Sequence, residues 1–263
     1  MTVFTATGIS AFYARKQVLD QVDLPTLTDN QVLGLLGPNA SGKSTLMRCL
    51  SGEKKTDGHI AIDGQSRADI GHDGWYQRLA CMPQSPPSPS ALLPTELMWS
   101  TARALDLDLS DRKLADEIED IFHRLGLAEF ALSPLHTLSG GKRQLVGLAL
   151  ALMRDPDVLL LDEPTSALDL HWRMVVLDLV RERLAERGGV VVAALHDLNL
   201  AARYCDQIVL LHAGRIIASG SPVDVLTPTN LATVYRVETR VSRDVDGRPL
   251  VHVVRPLRET EMI

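Results

Sequence analysis

A glycine-rich run near residue 40 carries the residue types needed to hold a phosphate chain. It fits the pattern GxxxxGK[ST] and consists of Gly37, Pro38, Asn39, Ala40, Ser41, Gly42, Lys43 and Ser44, followed by Thr45. Backbone N–H groups of such a loop wrap a β-phosphate at the positive N-terminus of the following helix. Lys43 is expected to reach the β- and γ-phosphates, and Ser44 to bind Mg²⁺. The alternative, a glycine-rich turn with an exposed lysine, is disfavoured by the strand-loop-helix context.

An acidic pair follows the apolar run Val158–Leu161. Carboxylates at the C-terminal edge of a parallel sheet face the ligand crevice. We therefore expect Asp162 to hold Mg²⁺, mainly through water. Glu163 is expected to accept a proton from the attacking water, a role worth roughly 10²–10⁴-fold in rate. An isolated Asp-Glu pair is more often a solvated strand end, but the upstream phosphate loop favours the catalytic interpretation.

A second glycine-rich helix start lies at Ser139, Gly140 and Gly141. Ser139 can cap the helix, and the glycines let the backbone approach a phosphate closely. The alternative is an ordinary capped helix, although two glycines at a helix start cap less well than many other residues. Because the chain already has one phosphate loop, this surface is expected to serve a partner's ATP. That inference predicts a head-to-tail homodimer with two sites.

Two single residues occupy positions suited to the same chemistry. His196 directly follows the predicted strand Val190–Leu195, where it could meet a γ-phosphate and position the water. Gln84 lies where the α/β pattern gives way to a helical insert, so its amide could bind Mg²⁺ or the water. Taken alone, the histidine would more often be structural and the glutamine a surface residue.

Alternating strands and helices are expected to position these residues. The apolar run Val32–Leu36 enters the loop as a buried central strand, and a helix follows from Lys43 to about Leu50. The pattern resumes after residue 138, with helices at 145–152, 173–187, 198–204 and 230–235, strands at 158–161 and 190–195, and a hairpin at 208–218. Such alternation predicts an α/β fold with a mostly parallel sheet, in the manner of P-loop NTPases. Short strands at residues 3–24 add an N-terminal antiparallel β subdomain.

The chain is predicted to divide into a core, an insert and a tail. Residues 1–84 and 138–240 form the ATP-binding α/β core with its antiparallel subdomain. The proline-rich run Ser85–Ser90 opens an all-helical subdomain over residues 85–137, which leads into the Ser-Gly-Gly turn. Its clearest helix repeats apolar residues from Leu114 to Leu125, with Ser110 as N-cap and Gly126 as its stop. Residues 241–263 are a tail with a predicted β-hairpin around Asp246-Gly247.

Composition excludes several classes of protein. The 263 residues are 45% hydrophobic and carry a net charge of −6, which argues against nucleic-acid binding through a broad basic face. The cysteines are Cys49, Cys81 and Cys205, and this odd, scattered set fits no metal spacing or disulfide framework, which favours a reducing cytoplasm. No apolar run reaches the roughly 18–20 residues of a membrane span, and no secretory signal is visible. We expect any service to a membrane to depend on docking to another subunit.

Together, the motifs resemble those of ABC transporter ATP-binding subunits, across residues 1 to about 240. The matching pieces are Gly37–Thr45 (Walker A), Gln84 (Q-loop), Leu138–Gln144 (signature), Val158–Pro164 (Walker B), Ser166–Asp169 (D-loop) and His196 (switch histidine). The resemblance implies ATP and Mg²⁺ as ligands. It also implies that Tyr13 stacks on adenine, although a strand aromatic packed in the core is the alternative. Asp169 is implied to contribute to nucleotide binding.

A finer resemblance concerns importers of iron-siderophores, haem and cobalamin. It rests on His196–Tyr204, on Leu226–Pro228, and on Asn230-Leu231 and Val234-Tyr235. It implies an ATPase homodimer on two copies of a polytopic permease, fed by a substrate-binding protein, at the cytoplasmic face of the inner membrane. The predicted function is the ATP-hydrolysing, peripheral subunit of an iron-chelate or haem importer. The alternatives are another importer (cobalamin, metal), a soluble non-transport ABC-type ATPase, or an unrelated P-loop kinase or GTPase.

Three residues depart from the family pattern. Ala40 stands where glycine is usual, and the loop is expected to survive if its φ can be negative. Lys142 replaces glutamine or glutamate, and Leu145 replaces a common arginine. Each is expected to affect rate or coupling, but none removes a group assigned to the chemistry.

Overall fold

The computed structural model describes residues 1–107 and 109–258. Within those ranges the strands are β1 (Val3–Thr7), β2 (Ile9–Tyr13), β3 (Lys16–Val22), β4 (Leu27–Thr28), β5 (Gln31–Leu36), β6 (His59–Ile62), β7 (Gln65–Ser66), β8 (Leu79–Met82), β9 (Val158–Asp162), β10 (Val190–Ala194), β11 (Gln207–His212), β12 (Arg215–Gly220), β13 (Val237–Arg243) and β14 (Pro249–Pro256). The α-helices are α1 (Lys43–Ser51), α2 (Arg67–Arg78), α3 (Pro94–Ala104), α4 (Asp111–Arg124), α5 (Gly140–Leu152), α6 (Leu170–Arg187), α7 (Leu198–Tyr204), α8 (Pro222–Val225) and α9 (Pro228–Tyr235). Asp108 of the predicted insert and residues 259–263 of the predicted tail lie outside the described residues.

A six-stranded sheet in the order β12-β11-β5-β10-β9-β8 forms the centre of the fold. All neighbouring pairs in it are parallel except β11 with β12. Every residue of β9 and β10 is buried, as expected of strands covered on both faces. The predicted α/β fold with a mostly parallel sheet is confirmed.

Parallel register brings the carboxyl ends of three inner strands to one edge. Ala194 at the end of β10 lies opposite Leu35 of β5 on one side and Asp162 of β9 on the other. The phosphate loop, Glu163 and His196 follow these three strands directly. The topology therefore places the separate motifs of the sequence side by side.

The predicted N-terminal antiparallel β subdomain is also present. Strands β4-β1-β6-β7 form one antiparallel sheet, and β2 and β3 form a separate ribbon. Phe4 and Ile62 of the sheet share a buried apolar cluster with Trp75 of α2 and Leu46 of α1. Ile9 and Leu19 of the ribbon belong to the same cluster, so the ribbon that carries Tyr13 packs against the helix that follows the phosphate loop.

The segment before the second glycine-rich turn is helical. In α4, Leu114, Ile118, Ile121 and Phe122 are buried, and the Ser110 hydroxyl accepts a hydrogen bond from the N–H of Lys113. Gly126 follows the helix with a left-handed φ of 60°. These apolar side chains share one cluster with α5, so the segment packs directly against the helix that begins at Gly140.

Three helices differ from the sequence-based expectation, and the short helix α8 is one that was not predicted. Helix α2 was not predicted, because its sequence is polar and its interior contains Gly71 with a non-helical φ of 75° and ψ of 178°. Helix α6 begins at Leu170 rather than Arg173, because the Asp169 carboxylate caps it by accepting from the N–H of Trp172 at 3.1 Å. In the described part of the chain, no helix combines the length and apolarity required to cross a membrane.

Strands β13 and β14 pair antiparallel on either side of Asp246-Gly247. The hairpin is joined to α7 by the side-chain amide of Asn199. Its Nδ2 donates to the carbonyl of Val251 at 3.2 Å, and its Oδ1 accepts from the N–H of Val251 at 2.8 Å. Helix α7 starts two residues after His196, so the hairpin is attached close to a predicted site residue.

Candidate functional site

A cavity of about 760 Å³ opens at the carboxyl edge of the sheet. It brings together residues that are up to 183 positions apart in the sequence, from Tyr13 to His196. Its lining is formed by Tyr13, Lys16, Val18, Asn39, Ala40, Gly42, Lys43, Ser44, Thr45, Gln84, Glu163 and His196. The predicted loop, acid, glutamine, histidine and aromatic residue thus meet in one place. Lys16 and Val18 were not predicted.

The phosphate loop depends on glycine at two positions. A Cβ on Gly37 would lie 2.1 Å from the carbonyl oxygen of Leu211, and one on Gly42 would lie 2.8 Å from Leu19. Gly42 is the N-cap of α1 with a left-handed φ of 113°, and no side chain bonds to the first turn. The N–H groups that begin the helix are therefore left for a ligand, as an anion site requires.

Ala40 does not meet the condition set from the sequence, which was a negative φ at this position. Its φ is +62°, in the left-handed region. The N–H of Ser41 donates to the carbonyl of Pro38 at 3.2 Å, which closes a turn with Ala40 as its third residue. A left-handed third residue is what usually demands glycine. The loop therefore keeps its shape at a steric cost of roughly 1 kcal/mol.

Lys43 is almost fully buried, with 5% of its surface exposed. Its ammonium donates to the carbonyl oxygens of Gly37 at 2.7 Å and Pro38 at 3.2 Å. Burial lowers the pKa of Lys43 below its ordinary value, while the charges of Glu163 and Asp162 oppose this shift. The loop carbonyls thus hold the Lys43 ammonium at the N-terminus of α1, where phosphates would bind.

Ser44 and Asp162 lie close enough to share a cation. The Ser44 hydroxyl donates to Oδ1 of Asp162 at 3.4 Å, and Asp162 is 6% exposed. Burial raises the pKa of the Asp162 carboxyl, the nearby Glu163 charge adds to this rise, and the Ser44 hydrogen bond opposes it. A buried carboxylate with a raised pKa and a hydroxyl beside it fit a hard cation such as Mg²⁺.

Gln84 lines the same cavity, and its amide oxygen would be a further ligand for a cation held by Ser44 and Asp162. Among the described residues, no group of three His, Cys, Asp or Glu could hold a metal by itself. Mg²⁺ typically keeps several waters and takes one or two carboxylates plus substrate phosphates. The residues present therefore fit a Mg²⁺ ion whose shell is completed by a nucleotide.

Glu163 and His196 lie in contact at the end of the cavity. His196 Nε2 lies 2.6 Å from Oε1 of Glu163, with the histidine side chain 43% exposed and the glutamate 12%. The N–H of Glu163 donates to the carbonyl of Ala194 at 3.1 Å, which fixes the acid to the end of β10. A carboxylate oriented by an imidazole beside a phosphate site is suited to accepting a proton from water.

Tyr13 lies at the rim of the cavity and is 43% exposed. Arg48 donates to its hydroxyl at 3.4 Å, and this hydrogen bond lowers the pKa of Tyr13. The Lys54 ammonium lies 3.9 Å from the ring centroid. The ring is therefore exposed rather than packed in the core, which makes a face available for stacking.

The second helix start lies outside this cavity. Ser139, Gly140 and Asp169 are exposed and Gly141 is half-buried, and none of them is among the residues that line it. The Ser139 hydroxyl accepts from the N–H of Lys142 at 3.3 Å, as the predicted N-cap. A Cβ on Gly140 would meet no atom within 4 Å. This surface is thus open to a second molecule.

The two departures near this helix start have structural roles. The Lys142 ammonium lies 3.0 Å from the ring centroid of Phe130, so it covers an aromatic ring of the preceding segment. Leu145 is 4% exposed and belongs to the apolar cluster of the helical segment.

One residue was missed by sequence reasoning. Gln144 lies in the signature run, but no role was predicted for it. Its side chain is buried and donates to the carbonyl oxygen of Glu163 at 2.7 Å. The signal in the sequence is a lone amide on an otherwise apolar stretch from Gln144 to Leu152, where a buried polar group needs a partner.

Comparison with known proteins agrees with this geometry. The family described as ABC transporter matches residues 19–166, which is more than half of the chain. This chain belongs to the ABC transporter ATP-binding proteins. The alternative of an unrelated P-loop kinase or GTPase is wrong, and the predicted enzyme class, an ATPase of a transporter, is confirmed.

Individual relatives match nearly the whole chain. The hemin import ATP-binding protein of Rhodopseudomonas palustris is 37% identical over 243 residues, covering 89% of this chain and 88% of the relative. The petrobactin import ATP-binding protein of Bacillus anthracis is 34% identical over 242 residues, covering 90% and 88%. A solved ATP-binding subunit of an ABC transporter superposes with a TM-score of 0.76 at 27% identity, covering 85% of this chain and 91% of that one.

Proposed function

We propose that this chain is the ATP-hydrolysing subunit of an importer for an iron chelate (siderophore) or haem. The observation that carries this proposal is the similarity, over nine-tenths of the chain, to proteins named for hemin and petrobactin import. ATP is the substrate of the subunit, and the imported molecule need not touch it.

The residues of the cavity have different proposed roles in ATP hydrolysis. The loop N–H groups and Lys43 bind the phosphates, and Tyr13 offers its exposed ring to the adenine. Glu163 accepts the proton of the attacking water, while His196, 2.6 Å from that carboxylate, orients it. Mg²⁺, when held by Ser44, Asp162 and Gln84, neutralises the phosphate charge.

We further propose that two copies assemble head to tail. The exposed helix start at Ser139–Gly141, together with Asp169, then faces the ATP held by the opposite subunit. Support comes from its exposure, its capped helix and its position outside the cavity of its own chain. A helix N-terminus that meets no ligand in its own chain is suited to a γ-phosphate supplied by another.

In this proposal the homodimer works peripherally, at the cytoplasmic face of the inner membrane. It binds two copies of a polytopic permease, and a substrate-binding protein delivers the imported molecule to that permease. The core of residues 1–84 and 138–240 binds ATP, and the helical subdomain of residues 85–137 transmits motion to the permease. Gln84, which lines the cavity and borders that subdomain, links the nucleotide to the movement.

The test is uptake of radiolabelled iron-siderophore, haem and cobalamin by a strain that lacks this chain. Wild-type protein is expected to restore uptake of one iron-containing substrate, and Glu163→Gln to restore none. Glu186→Gln, which changes an exposed glutamate on α6 outside the helical subdomain, is the matched control and is expected to behave as wild type.

The result also separates the alternatives. Restoration of cobalamin uptake alone would assign the chain to a cobalamin importer. Restoration of no substrate, by a protein that still hydrolyses ATP, would contradict the iron proposal and favour another cargo or a soluble role.

A further inference from the structure

The turn that carries Glu163 adopts an unfavourable backbone conformation. Glu163 has a φ of +57°, a region that non-glycine residues rarely adopt. Such a residue keeps its conformation only where surrounding bonds determine it. Inside the turn, the N–H of Ser166 donates to the Glu163 carbonyl at 3.3 Å and the Ser166 hydroxyl does so at 3.2 Å.

The shortest bond to that carbonyl comes from another element. Gln144 of α5, which is 2% exposed, donates from Nε2 to the Glu163 carbonyl at 2.7 Å and to the Ser166 hydroxyl at 3.3 Å. Its Oε1 accepts from the N–H of Ala167 at 3.1 Å. All the polar atoms of this buried amide are therefore used on the two ends of one short turn.

The position of Gln144 on α5 connects these hydrogen bonds to the start of the helix. Gln144 lies about one helical turn beyond Ser139–Gly141, and α5 is a continuous helix from Gly140 to Leu152. A shift of the helix start must therefore move the amide, and with it the Glu163 carbonyl. The opposite end of the same residue carries the carboxylate that lies beside His196.

We infer that Gln144 is a positioning residue that couples the two nucleotide sites of the dimer through each chain. It sets the Glu163 turn according to the position of the helix start that meets the other subunit's ATP. This inference rests on the proposed head-to-tail dimer and adds the route by which one site affects the base of the other. Gln144 touches no nucleotide in this scheme and acts through Glu163.

The test compares two substitutions of this amide. Gln144→Glu keeps an acceptor for Ala167 and replaces the donor to Glu163 with an oxygen. Gln144→Met keeps the length of the side chain and removes every bond. We expect each to lower kcat for ATP by roughly 100-fold, the effect of a displacement of about 1 Å, with little change in KM. Gln77→Glu, on an exposed helical glutamine of α2, is the matched control and should leave kcat unchanged.

Two readouts distinguish positioning from simple stabilisation. In a Glu163→Gln background, Gln144→Glu should reduce the residual turnover no further, because the amide acts through the missing base. Hydrogen exchange at the N–H of Ala167 and Ser166 should slow when ATP assembles the Glu163→Gln dimer. That slowing should disappear when Gln144→Met is added.

The inference is overturned if Gln144→Glu hydrolyses ATP at the wild-type rate. It is also overturned if the variants lose thermal stability and ATP affinity in step with kcat, or do not fold, since the amide would then be structural. Failure of the proposed function looks different. A wrong cargo would show as no restored uptake by wild-type protein that still hydrolyses ATP, and a wrong dimer would show as wild-type protein that stays monomeric with ATP.

Discussion

Two helices of this protein begin at glycine-rich turns, and the surroundings of their first turns differ. At α1, Gly42 provides no side-chain cap, and the adjacent Lys43 is buried at the edge of a large cavity. At α5, the Ser139 hydroxyl caps the helix, and Gly140 faces open space. In our proposal, the first start binds phosphate within its own chain. The second is an exposed surface that meets a ligand carried by another molecule.

The first glycine of each turn has different steric surroundings, although a Cβ on Gly141 in the second turn would also lie 2.8 Å from the carbonyl oxygen of Ala167. Gly37 of the phosphate loop lies against the backbone of Leu211, whereas no atom approaches the Cβ position of Gly140. Glycine is therefore required by the protein itself in the first turn. In the second turn, Gly140 is required only if something outside the chain approaches it.

Among the residues that line the cavity, the largest effect is expected for Glu163→Gln, which removes the proposed base. ATP should still bind, while turnover falls by roughly 10²–10⁴-fold because the attacking water keeps its proton. The unhydrolysed ATP should then hold two chains together. Size-exclusion chromatography with light scattering measures the molar mass of this dimer. A variant that stays monomeric at saturating ATP would contradict the shared-site arrangement.

Substitutions at the two helix starts should separate ATP binding from ATP hydrolysis. Lys43→Ala should weaken ATP binding by each chain by about 10–100-fold, because charge-assisted hydrogen bonds are lost. Ser139→Arg should abolish hydrolysis and leave ATP binding by the monomer intact. Fluorescence titration with an ATP analogue measures both affinities. Equal loss of affinity in the two variants would place Ser139 in the local site and remove the contrast.

Adding one methyl group at each turn tests the steric difference. Gly37→Ala should destabilise the protein by about 2–3 kcal/mol, because the new Cβ overlaps the Leu211 carbonyl. Gly140→Ala should change the free energy of unfolding by less than about 0.5 kcal/mol. Denaturant titration compares each variant with wild type, and an equal loss of stability in the two variants would contradict the steric difference between Gly37 and Gly140.

Asp162→Asn tests whether the buried Asp162 carboxylate destabilises the protein at neutral pH when no ligand is bound. Burial raises the folded-state pKa of Asp162 above the unfolded value of about 3.9. Its contribution to stability is therefore fully present below that pH and is lost as the pH rises through the raised pKa. At neutral pH, without nucleotide, the asparagine variant should melt at a higher temperature than wild type. The gap should close as the pH falls below about 4, and a pH-independent gap would point to another cause.

The smallest effect is expected for Ala40→Gly. The left-handed φ of +62° costs alanine free energy that glycine does not incur. The variant should gain up to about 1 kcal/mol of stability, reduced by the greater freedom of glycine in the unfolded chain. Thermal unfolding measures it, with Ala68→Gly at an exposed position of α2 as the control that should be less stable.

Local patterns predicted the parts of the site that depend on neighbouring residues. The phosphate loop, the acid after β9 and the histidine after β10 each follow an apolar strand, and parallel register then brings them together. From the sequence, an intact loop was expected if the φ of Ala40 could be negative. That condition is wrong, because the turn closed by Ser41 holds alanine at a φ of +62°. The contacts of Gln144 depend on how α5 packs against a turn about twenty residues later, which no local pattern encodes.

The two hydrogen bonds between the Asn199 amide and the Val251 backbone make the C-terminal hairpin a place to attach a spectroscopic label. Val245, at the tip of that hairpin, is fully exposed. A fluorophore there would sit on a rigid arm fixed to α7, the helix that follows His196. Movement of α7 beside His196 could then be observed in real time, with the cavity left untouched.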